Sequence, residues 1–296
     1  MGIVAPASYF KREEFEAGCQ TLRRLGYTPV YSDSIFEHDL YFAGTIERRQ
    51  RELHEMFRRS DVRAILCARG GYGSNYLLEQ LDPGKIDQAK VFVGYSDITS
   101  LLTYFSDAAG WITFHGPMVA KDFAKTDGVD FASWQSVLEG QERICLAGEA
   151  GLKPLAEGRA EGVLYGGCLS MLAASLGTPY QIHTEGTILF MEDVATKPYQ
   201  IDRMLMHLKL AGKLAGVRGI VFGEMIDCVQ AVDQGYTLEE IVLRAVEDLG
   251  VPIAFGLRSG HVSRQNITLP LGARASLTVE AAGAILEILE PATLAG

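Results

Sequence analysis

Short apolar runs alternate with longer amphipathic segments along the first third of the chain. The runs 3–6, 28–31, 64–68 and 91–94 have the length of buried strands, and the segments 12–25, 45–60, 75–79 and 98–106 have helical periodicity. Gly26 follows the first helical segment, where a glycine typically ends a helix. Because strands that alternate with helices form βαβ units, this pattern predicts a parallel sheet with helices on both faces.

The alternation weakens between residues 131 and 158 and then resumes. Strands are expected at 162–167, 187–191 and 219–222, helices at 170–176, 201–210 and 237–249, and a terminal hairpin at 275–289 with its turn at 280–283. Since 296 residues exceed the usual size of one core, we expect two domains, 1–140 and 161–296, joined by a linker at 141–160. The second is expected to be a smaller α/β domain with mixed strands.

Composition and charge narrow the class of protein. The proportions of 48% hydrophobic and 22% charged residues are ordinary for a globular protein, and the net charge of −10 argues against a nucleic-acid partner. No basic segment precedes an apolar run at the N-terminus, and the longest apolar runs are too short to cross a bilayer. The five cysteines are scattered and show no CxxC spacing, which disfavours disulfides and structural zinc. We therefore expect a cytoplasmic protein without a membrane anchor.

The segment 91–99 (VFVGYSDIT) has the sharpest local signal for chemistry. A buried strand runs directly into a helix, with Ser96 at the corner, as in the turn that exposes a nucleophilic serine above a sheet. Ile98 stands where the second glycine of GxSxG would be. The N–H of Asp97, at the start of the helix, could stabilise a developing oxyanion. The alternative is that Ser96 caps the helix, which is the commoner role of a serine at such a place.

A glycine-rich turn, 69–74 (RGGYGS), follows another buried strand. Three glycines in four residues allow the backbone to approach a ligand closely and to turn N–H groups toward it. The segment matches neither GxGxxG nor a P-loop, so a second oxyanion donor or a contact to substrate backbone is the better functional interpretation. A tight strand-to-helix turn without a functional role is the alternative.

A serine nucleophile needs a base, and the base needs an acid to orient it. Among the six histidines, His261 lies in a loop after a buried segment, and His115 lies close after the elbow helix and could line the site. Glu192 and Asp193 close a strongly apolar strand, where charge is costly unless it is used or paired. Ser96, Glu192 and His261 thus form a candidate set in the order serine, acid, histidine, with the site between the domains.

These segments together resemble the LD-carboxypeptidase family of serine peptidases, which includes the microcin-immunity peptidases. The matching segments, in the family's order, are 3–8 (IVAPAS), 68–73 (ARGGYG), 94–99 (GYSDIT), 114–117 (FHGP), 166–170 (GGCLS), 191–193 (MED), 197–205 (KPYQIDRML), 260–261 (GH) and 266–272 (NITLPLG). The resemblance spans nearly the whole chain.

The resemblance implies a Ser-His-Glu triad, which falls on Ser96, His261 and Glu192. It implies oxyanion donors from the backbone of Asp97 and from Gly70 or Gly71. It further implies a flavodoxin-like N-terminal domain that carries the nucleophile, a C-terminal domain that carries the glutamate and histidine, no metal or other cofactor, and a homodimer.

The resemblance also implies a substrate, a cytoplasmic muropeptide tetrapeptide from which the terminal D-alanine is cleaved. Family members of the immunity type instead hydrolyse an amide in a peptide-nucleotide antibiotic, and a third possibility is a non-catalytic module that binds muropeptides. The candidate substrate contacts are Arg69, Tyr72, His115 and Cys168, with Arg203 and Arg258 as further candidates for a terminal carboxylate. Cys168 departs from the polar residue expected in GGCLS, which puts a substrate hydrogen bond there in doubt.

Overall fold

The computed structural model of the protein describes residues 1–86, 89–230, 232 and 235–293; residues 294–296, with which the expected second domain ends, lie outside the described residues. The strands are β1 (Gly2–Val4), β2 (Ala64–Cys67), β3 (Val91–Gly94), β4 (Thr113–His115), β5 (Ile144–Leu146), β6 (Lys153–Ala156), β7 (Gly158–Cys168), β8 (Thr187–Glu192), β9 (Gly219–Gly223), β10 (Ile253–Leu257), β11 (Leu269–Leu271), β12 (Arg274–Glu280) and β13 (Gly283–Ile288). The helices are α1 (Arg12–Arg24), α2 (Ile46–Arg58), α3 (Thr99–Ala109), α4 (Phe131–Leu138), α5 (Leu169–Ala174), α6 (Pro198–Leu210) and α7 (Leu238–Val246).

The N-terminal sheet is mostly parallel. Strands β1 to β4 lie side by side in chain order and run parallel, and β11 pairs antiparallel with the outer edge of β4. Val30 forms one parallel bridge to Gly2, so the strand predicted at 28–31 is reduced to a single bridge. With Val30 counted, the strand order is the 2-1-3-4-5 order of flavodoxin-like sheets. The prediction of a flavodoxin-like parallel sheet is confirmed.

Burial and capping explain why these elements form where they do. β2 is buried along its whole length, as expected of a parallel strand covered on both faces. α2 begins after Thr45, whose hydroxyl accepts the Arg48 N–H, and α3 ends at Gly110 in the left-handed conformation. The carboxyl end of β3 leads almost directly into α3 through a short 3-10 turn, Ser96–Ile98, so the chain changes direction sharply at the sheet edge.

The C-terminal sheet mixes both strand directions, as predicted. β7, β8, β9 and β10 are parallel neighbours, and β12 pairs antiparallel with β7. β12 and β13 form the predicted hairpin, in which Glu280 pairs with Gly283. In β12 buried and more exposed residues alternate, which is the period-two pattern that made the hairpin readable from sequence. No helix of the described residues is long and apolar enough to cross a membrane.

The segment 141–160 differs from the predicted linker. β5 pairs with β13, β6 pairs with β10, and β7 already begins at Gly158, so the segment is part of the C-terminal sheet. β5 has only three residues and β6 is largely half-exposed, because both are edge strands. Edge strands lack the continuous apolar run of a buried strand, which explains the missing signal. The helix α4 (Phe131–Leu138), which precedes this segment, has no counterpart among the predicted helices.

The two sheets meet at the carboxyl ends of their parallel strands. The Thr99 hydroxyl, at the start of α3, accepts the backbone N–H of Cys168 at the end of β7, over 3.0 Å. A Cβ atom on Gly167 would lie 2.6 Å from the same hydroxyl oxygen, so the approach is close. The ends of β3 and β8, which carry the predicted nucleophile and acid, are thereby brought to one region of the molecule.

Candidate active site

Ser96 lies in a strained backbone conformation at the corner after β3. Its φ is +64°, in the left-handed region that residues other than glycine rarely adopt. Tyr95 before it is extended, and Ile98 after it is helical, so the turn is sharp. The side chain is half-buried and makes no hydrogen bond within the described part of the chain. Strain of this kind persists where the surrounding structure enforces it, and it accumulates at functional sites.

The glycine-rich turn packs directly against Ser96. A Cβ atom on Gly70 would lie 2.8 Å from the Ser96 Cβ and 3.2 Å from its Oγ. Ser8, in the segment after β1, fixes the turn from the other side, because its N–H donates to the Gly70 carbonyl over 3.2 Å and its hydroxyl accepts the Tyr72 N–H over 3.0 Å. Only glycine at position 70 allows the turn to approach the serine this closely.

Asp97 ties the serine turn to the glycine turn. Its Oδ2 accepts the Ser74 N–H over 2.7 Å, and the Ser74 hydroxyl donates to its backbone carbonyl over 2.6 Å. Burial raises the pKa of Asp97, and the N–H groups of Ser74 and Gly73 lower it again in part. The Asp97 carboxylate therefore has a structural role that the sequence analysis, which drew attention to its N–H, did not anticipate.

Three backbone N–H groups around Ser96 have no acceptor among the described residues. They belong to the predicted oxyanion donors, Gly70, Gly71 and Asp97. Gly70 and Asp97 are buried residues, and a buried N–H without a partner is uncommon in a folded protein. These three N–H groups are therefore without an acceptor within the described part of the chain.

Glu192 and His261 form a hydrogen-bonded pair. Glu192 ends β8 with no exposed surface, and its Oε2 accepts both the Nδ1–H of His261, over 2.7 Å, and the backbone N–H of His261, over 3.0 Å. Burial would raise the pKa of Glu192, but the His261 and His115 imidazoles outweigh burial and hold the pKa below its ordinary value. Because an ionised carboxylate only accepts, Nδ1 of His261 is the donor and Nε2 is left as an acceptor.

The loop before His261 is shaped to bring its imidazole onto Glu192. Gly260 has a φ of +92°, and a Cβ atom there would lie 2.6 Å from the Glu192 Cδ. The Asn266 side chain holds this turn, since its Oδ1 accepts the Gly260 N–H over 2.9 Å and its Nδ2 donates to the Gly260 carbonyl over 3.2 Å. The matching segments 260–261 (GH) and 266–272 (NITLPLG) thus belong to one loop, which places His261.

Tyr95 connects the serine turn with the histidine. Its ring stands edge-on to the His261 ring, with 5.1 Å between the ring centroids, and it is fully buried. Ser96 is the next residue, and among the described residues no hydrogen bond joins its Oγ to His261. The structure therefore brings Glu192 and His261 into direct contact and places Ser96 one residue from a ring that contacts His261.

The predicted substrate contacts have different degrees of exposure. Arg69 and Tyr72 are exposed beside the glycine turn, with an Arg69 guanidinium N–H donating to the Tyr9 carbonyl over 3.1 Å. Cys168 is buried, with its Sγ 3.2 Å from the Ser170 hydroxyl. His115 has no exposed surface at all, so its side chain presents nothing to a substrate in this conformation.

The two other arginines proposed for a terminal carboxylate lie elsewhere. Arg203 is exposed on α6, with its guanidinium 5.4 Å from the centre of the Tyr199 ring. Arg258 donates to the Glu149 carbonyl over 2.6 Å. Neither contacts a residue of the serine turn or the glycine turn in the described structure.

Lys121 is a cation beside the site that the sequence analysis missed. The N–H of Ala120 donates to the Ala68 carbonyl over 2.9 Å, which places Lys121 next to Arg69. The Lys121 ammonium lies 5.4 Å from the centre of the Tyr95 ring, and no described residue pairs with it. Burial lowers the pKa of Lys121, and the Asp122 carboxylate partly offsets this. The sequence signal was available, because Lys121 and Asp122 interrupt an otherwise apolar run from 117 to 123.

A serine on a strained strand-to-helix turn, free backbone donors beside it and a buried carboxylate–imidazole pair nearby define the class of serine hydrolases. Two family models match the chain, the LD-carboxypeptidase N-terminal domain over residues 1–116 and the LD-carboxypeptidase C-terminal domain over residues 161–277. The protein belongs to the LD-carboxypeptidase family, and it is a serine-type carboxypeptidase.

Individual relatives agree with this assignment. A probable murein peptide carboxypeptidase of Bacillus subtilis is 36% identical, over 97% of this chain and 91% of that protein. The crystal structure of muramoyltetrapeptide carboxypeptidase from Oxalobacter formigenes superposes with a TM-score of 0.87 at 30% identity and covers 99% of each chain. The microcin C7 self-immunity protein MccF of Escherichia coli is 27% identical over 92% of this chain and 88% of that protein.

Proposed function

We propose that this protein removes the terminal D-alanine from muropeptide tetrapeptides, with Ser96 as nucleophile, His261 as base and Glu192 as the acid that orients it. The observation that carries the proposal is the buried contact between Glu192 Oε2 and His261 Nδ1, 2.7 Å long, beside the strained turn of Ser96. The names of the Bacillus and Oxalobacter relatives support a muropeptide as the substrate.

The reaction would proceed through an acyl-enzyme. Ser96 Oγ attacks the carbonyl carbon before the terminal D-alanine, while His261 Nε2 takes the hydroxyl proton. The C–N bond then breaks as His261 returns that proton to the leaving amine of D-alanine. A water molecule, activated by the same imidazole, hydrolyses the ester and restores the serine. Glu192 fixes the Nδ1–H tautomer of His261 and stabilises its charged form, and the Ser96–His261 hydrogen bond forms when substrate closes the site.

The free N–H groups beside Ser96 would hold the oxyanion of the tetrahedral intermediate. The Asp97 N–H comes from the start of the helical turn, and the Gly70 N–H comes from the turn that packs on the Ser96 side chain. Loss of one such donor costs about 3–4 kcal/mol of transition-state stabilisation in comparable enzymes.

A carboxypeptidase must also recognise the free carboxylate of its substrate, and two cations are placed for this. Arg69 and Lys121 flank the glycine turn on adjacent segments of chain, and the Lys121 ammonium has no partner among the described residues. Because the ammonium is half-buried, an ion pair with the substrate carboxylate is less screened there than on the open surface.

The decisive experiment compares Ser96→Ala with Ser100→Ala, a control at a serine on the next turn of the same helical segment. The wild type and Ser100→Ala are expected to release D-alanine from a muropeptide tetrapeptide, and Ser96→Ala is expected to release none while its thermal unfolding stays unchanged. Full activity in Ser96→Ala would exclude the proposed nucleophile.

The similarity to MccF favours one second candidate, hydrolysis of a peptidyl-nucleotide amide by the same residues. A wild-type protein that leaves tetrapeptides intact but cleaves a peptidyl-nucleotide in a Ser96-dependent way would establish it.

The cytoplasmic location and the homodimer belong to the proposal as well. Cell fractionation and light scattering of the purified protein test them.

A further inference from the structure

The buried side chains of His115 and Glu192 face each other without a hydrogen bond between them. His115 Nε2 lies 3.7 Å from Glu192 Oε1, and both side chains have no exposed surface. Each of these two atoms lacks a hydrogen-bond partner among the described residues. A buried carboxylate oxygen without a donor is costly, so this gap requires an explanation.

The two hydrogen bonds of the Ser259 hydroxyl determine which ring nitrogen of a neutral His115 is protonated. The Ser259 hydroxyl donates to the Ile267 carbonyl over 2.9 Å, and this carbonyl accepts from no other described group. A hydroxyl has one proton, so the contact of 3.0 Å between Ser259 Oγ and His115 Nδ1 needs its proton from His115. A neutral His115 therefore has its N–H at Nδ1 and a lone pair at Nε2, directed at the Glu192 carboxylate.

We propose that His115 is a positioning residue that acts in its imidazolium form, with Nε2–H directed at Glu192 Oε1. The inference rests on the proposed triad. Glu192 would then lie between two imidazoles, with Oε1 held by His115 and Oε2 by His261. This arrangement fixes the carboxylate plane and leaves Oε2 as the single acceptor for His261. When His115 loses its proton, the lone pair on Nε2 repels Oε1 and the triad geometry is weakened.

The surroundings of His115 contain few other charges. Glu192 of β8 and His261 face it, and Phe190 packs on its ring at 5.1 Å between centroids. Tyr95 lies 5.9 Å away, centroid to centroid. Behind Tyr95 stand Asp122, which accepts the Tyr95 hydroxyl over 3.3 Å, and Lys121 over the Tyr95 ring. From β11 the neighbour is Leu269, which is apolar.

The activity is expected to rise and then fall as the pH increases. Activity rises with pH as His261 becomes neutral and able to accept the serine proton, and it falls again when His115 loses the proton that faces Glu192. His115→Gln can donate a neutral amide N–H to Oε1 at any pH, so it is expected to keep the rising limb and lose the falling one. His115→Leu offers no donor and is expected to have lower activity than wild type at every pH.

The test measures the rate at which Ser96 reacts with a fluorophosphonate between pH 5 and 10, because this reagent has no titrating group and needs no muropeptide recognition. Wild type and the control His207→Gln, at an exposed histidine of α6, should give a bell-shaped profile. His115→Gln should give a profile that rises to a plateau. His115→Leu should react about 10- to 100-fold more slowly, as when other groups that orient a functional ligand are removed. A falling limb that His115→Gln retains at the same midpoint would overturn the proposal.

Nitrogen NMR of the wild-type protein labelled at histidine provides a measurement that needs no reaction. Under the conditions in which Ser96 reacts fastest, both ring nitrogens of His115 should be protonated, and an unprotonated Nε2 there would refute the proposal even if His115→Leu fails to fold. If Ser96 reacts with the fluorophosphonate but no D-alanine is released, the substrate assignment fails and the role of His115 is still decided.

Discussion

Replacing Gly70 with alanine tests how closely the glycine turn must approach Ser96, the proposed nucleophile. The added methyl carbon would lie 2.8 Å from the Ser96 Cβ and 3.1 Å from the Tyr95 carbonyl oxygen. Carbon atoms in contact are normally about 3.5–4.0 Å apart, so the two turns must separate by about 1 Å. Neither clash is relieved by a rotamer change, because the Ser96 Cβ and the Tyr95 oxygen are fixed by the backbone.

A displacement of this size acts on catalysis as well as on folding. Misplacing a reacting group by about 1 Å costs about 100-fold in rate, which corresponds to about 2.7 kcal/mol of transition-state stabilisation. We therefore expect Gly70→Ala to lower kcat for D-alanine release about 100-fold, with KM nearly unchanged, because the oxyanion is held only in the transition state. Overpacking would lower the free energy of unfolding by about 1–3 kcal/mol.

The matched control is Gly148→Ala. A Cβ atom there meets nothing within 4 Å, and its φ is not in the left-handed region. This variant should keep full activity and be about 0.4–1 kcal/mol more stable through the unfolded chain. Steady-state kinetics with urea unfolding of both variants makes the comparison. A Gly70→Ala enzyme with wild-type kcat would show that the glycine turn does not serve the reaction.

Three further changes probe the charges around the site. Glu192→Gln should lower kcat about 10⁴-fold, because His261 loses its tautomer and its charge partner, as measured by D-alanine release. Lys121→Met should lower kcat/KM about 10- to 100-fold for a tetrapeptide with a free carboxylate and leave the slower cleavage of its C-terminal amide unchanged, since a hydrogen bond to a charged group contributes about 1.5–3 kcal/mol. Burial raises the pKa of Asp122 to about 6, so the free energy of unfolding should fall as the pH rises from about 4 to 6. Asp122→Asn should remove this loss. The difference in unfolding free energy between the variant and wild type, measured by urea unfolding, should therefore be more favourable to the variant at pH 7 than at pH 4, by up to about 3 kcal/mol.

Each of these has a result that contradicts it. Glu192→Gln with kcat within tenfold of wild type would mean that His261 is oriented by another group. Equal losses on the acid and amide substrates in Lys121→Met would indicate a packing role, and Lys125→Met, at an exposed lysine nearby, is the control. If the unfolding free energy of Asp122→Asn changed between pH 4 and pH 7 by as much as that of wild type, the Asp122 carboxyl would not be the group that titrates.

The local signals in the sequence were sufficient to predict where the turns lie, but not which distant residues pack against them. The apolar run before Ser96 and the polar start of the next helix predicted a corner there, because both are properties of neighbouring residues. The same holds for the hairpin of β12 and β13, whose alternation is visible in the sequence. The positive φ of Ser96 is not a local preference of serine, and the glycine that packs against it, Gly70, comes from a different strand-to-helix turn.

Contacts between distant segments account for what the sequence did not show. His115 was expected to face a substrate, but Phe190 and Glu192 of β8 pack against its imidazole, which has no exposed surface. The pairing of β5 with β13 and of β6 with β10 joins segments more than 90 residues apart, so no periodicity in 141–160 could indicate it. Lys121 becomes relevant only because the chain after β4 runs beside the end of β2.

The strand β11 makes the completion of the N-terminal sheet depend on the C-terminal part of the chain. It is made late, yet it forms the edge of the sheet that carries Ser96, and its Leu269 pairs with His115. A nascent chain on the ribosome that has emerged only to the end of β10 contains Ser96 and Glu192 but has an open sheet edge and no His261. The N-terminal sheet is therefore completed only after the segment that joins β10 to β11 has been synthesised.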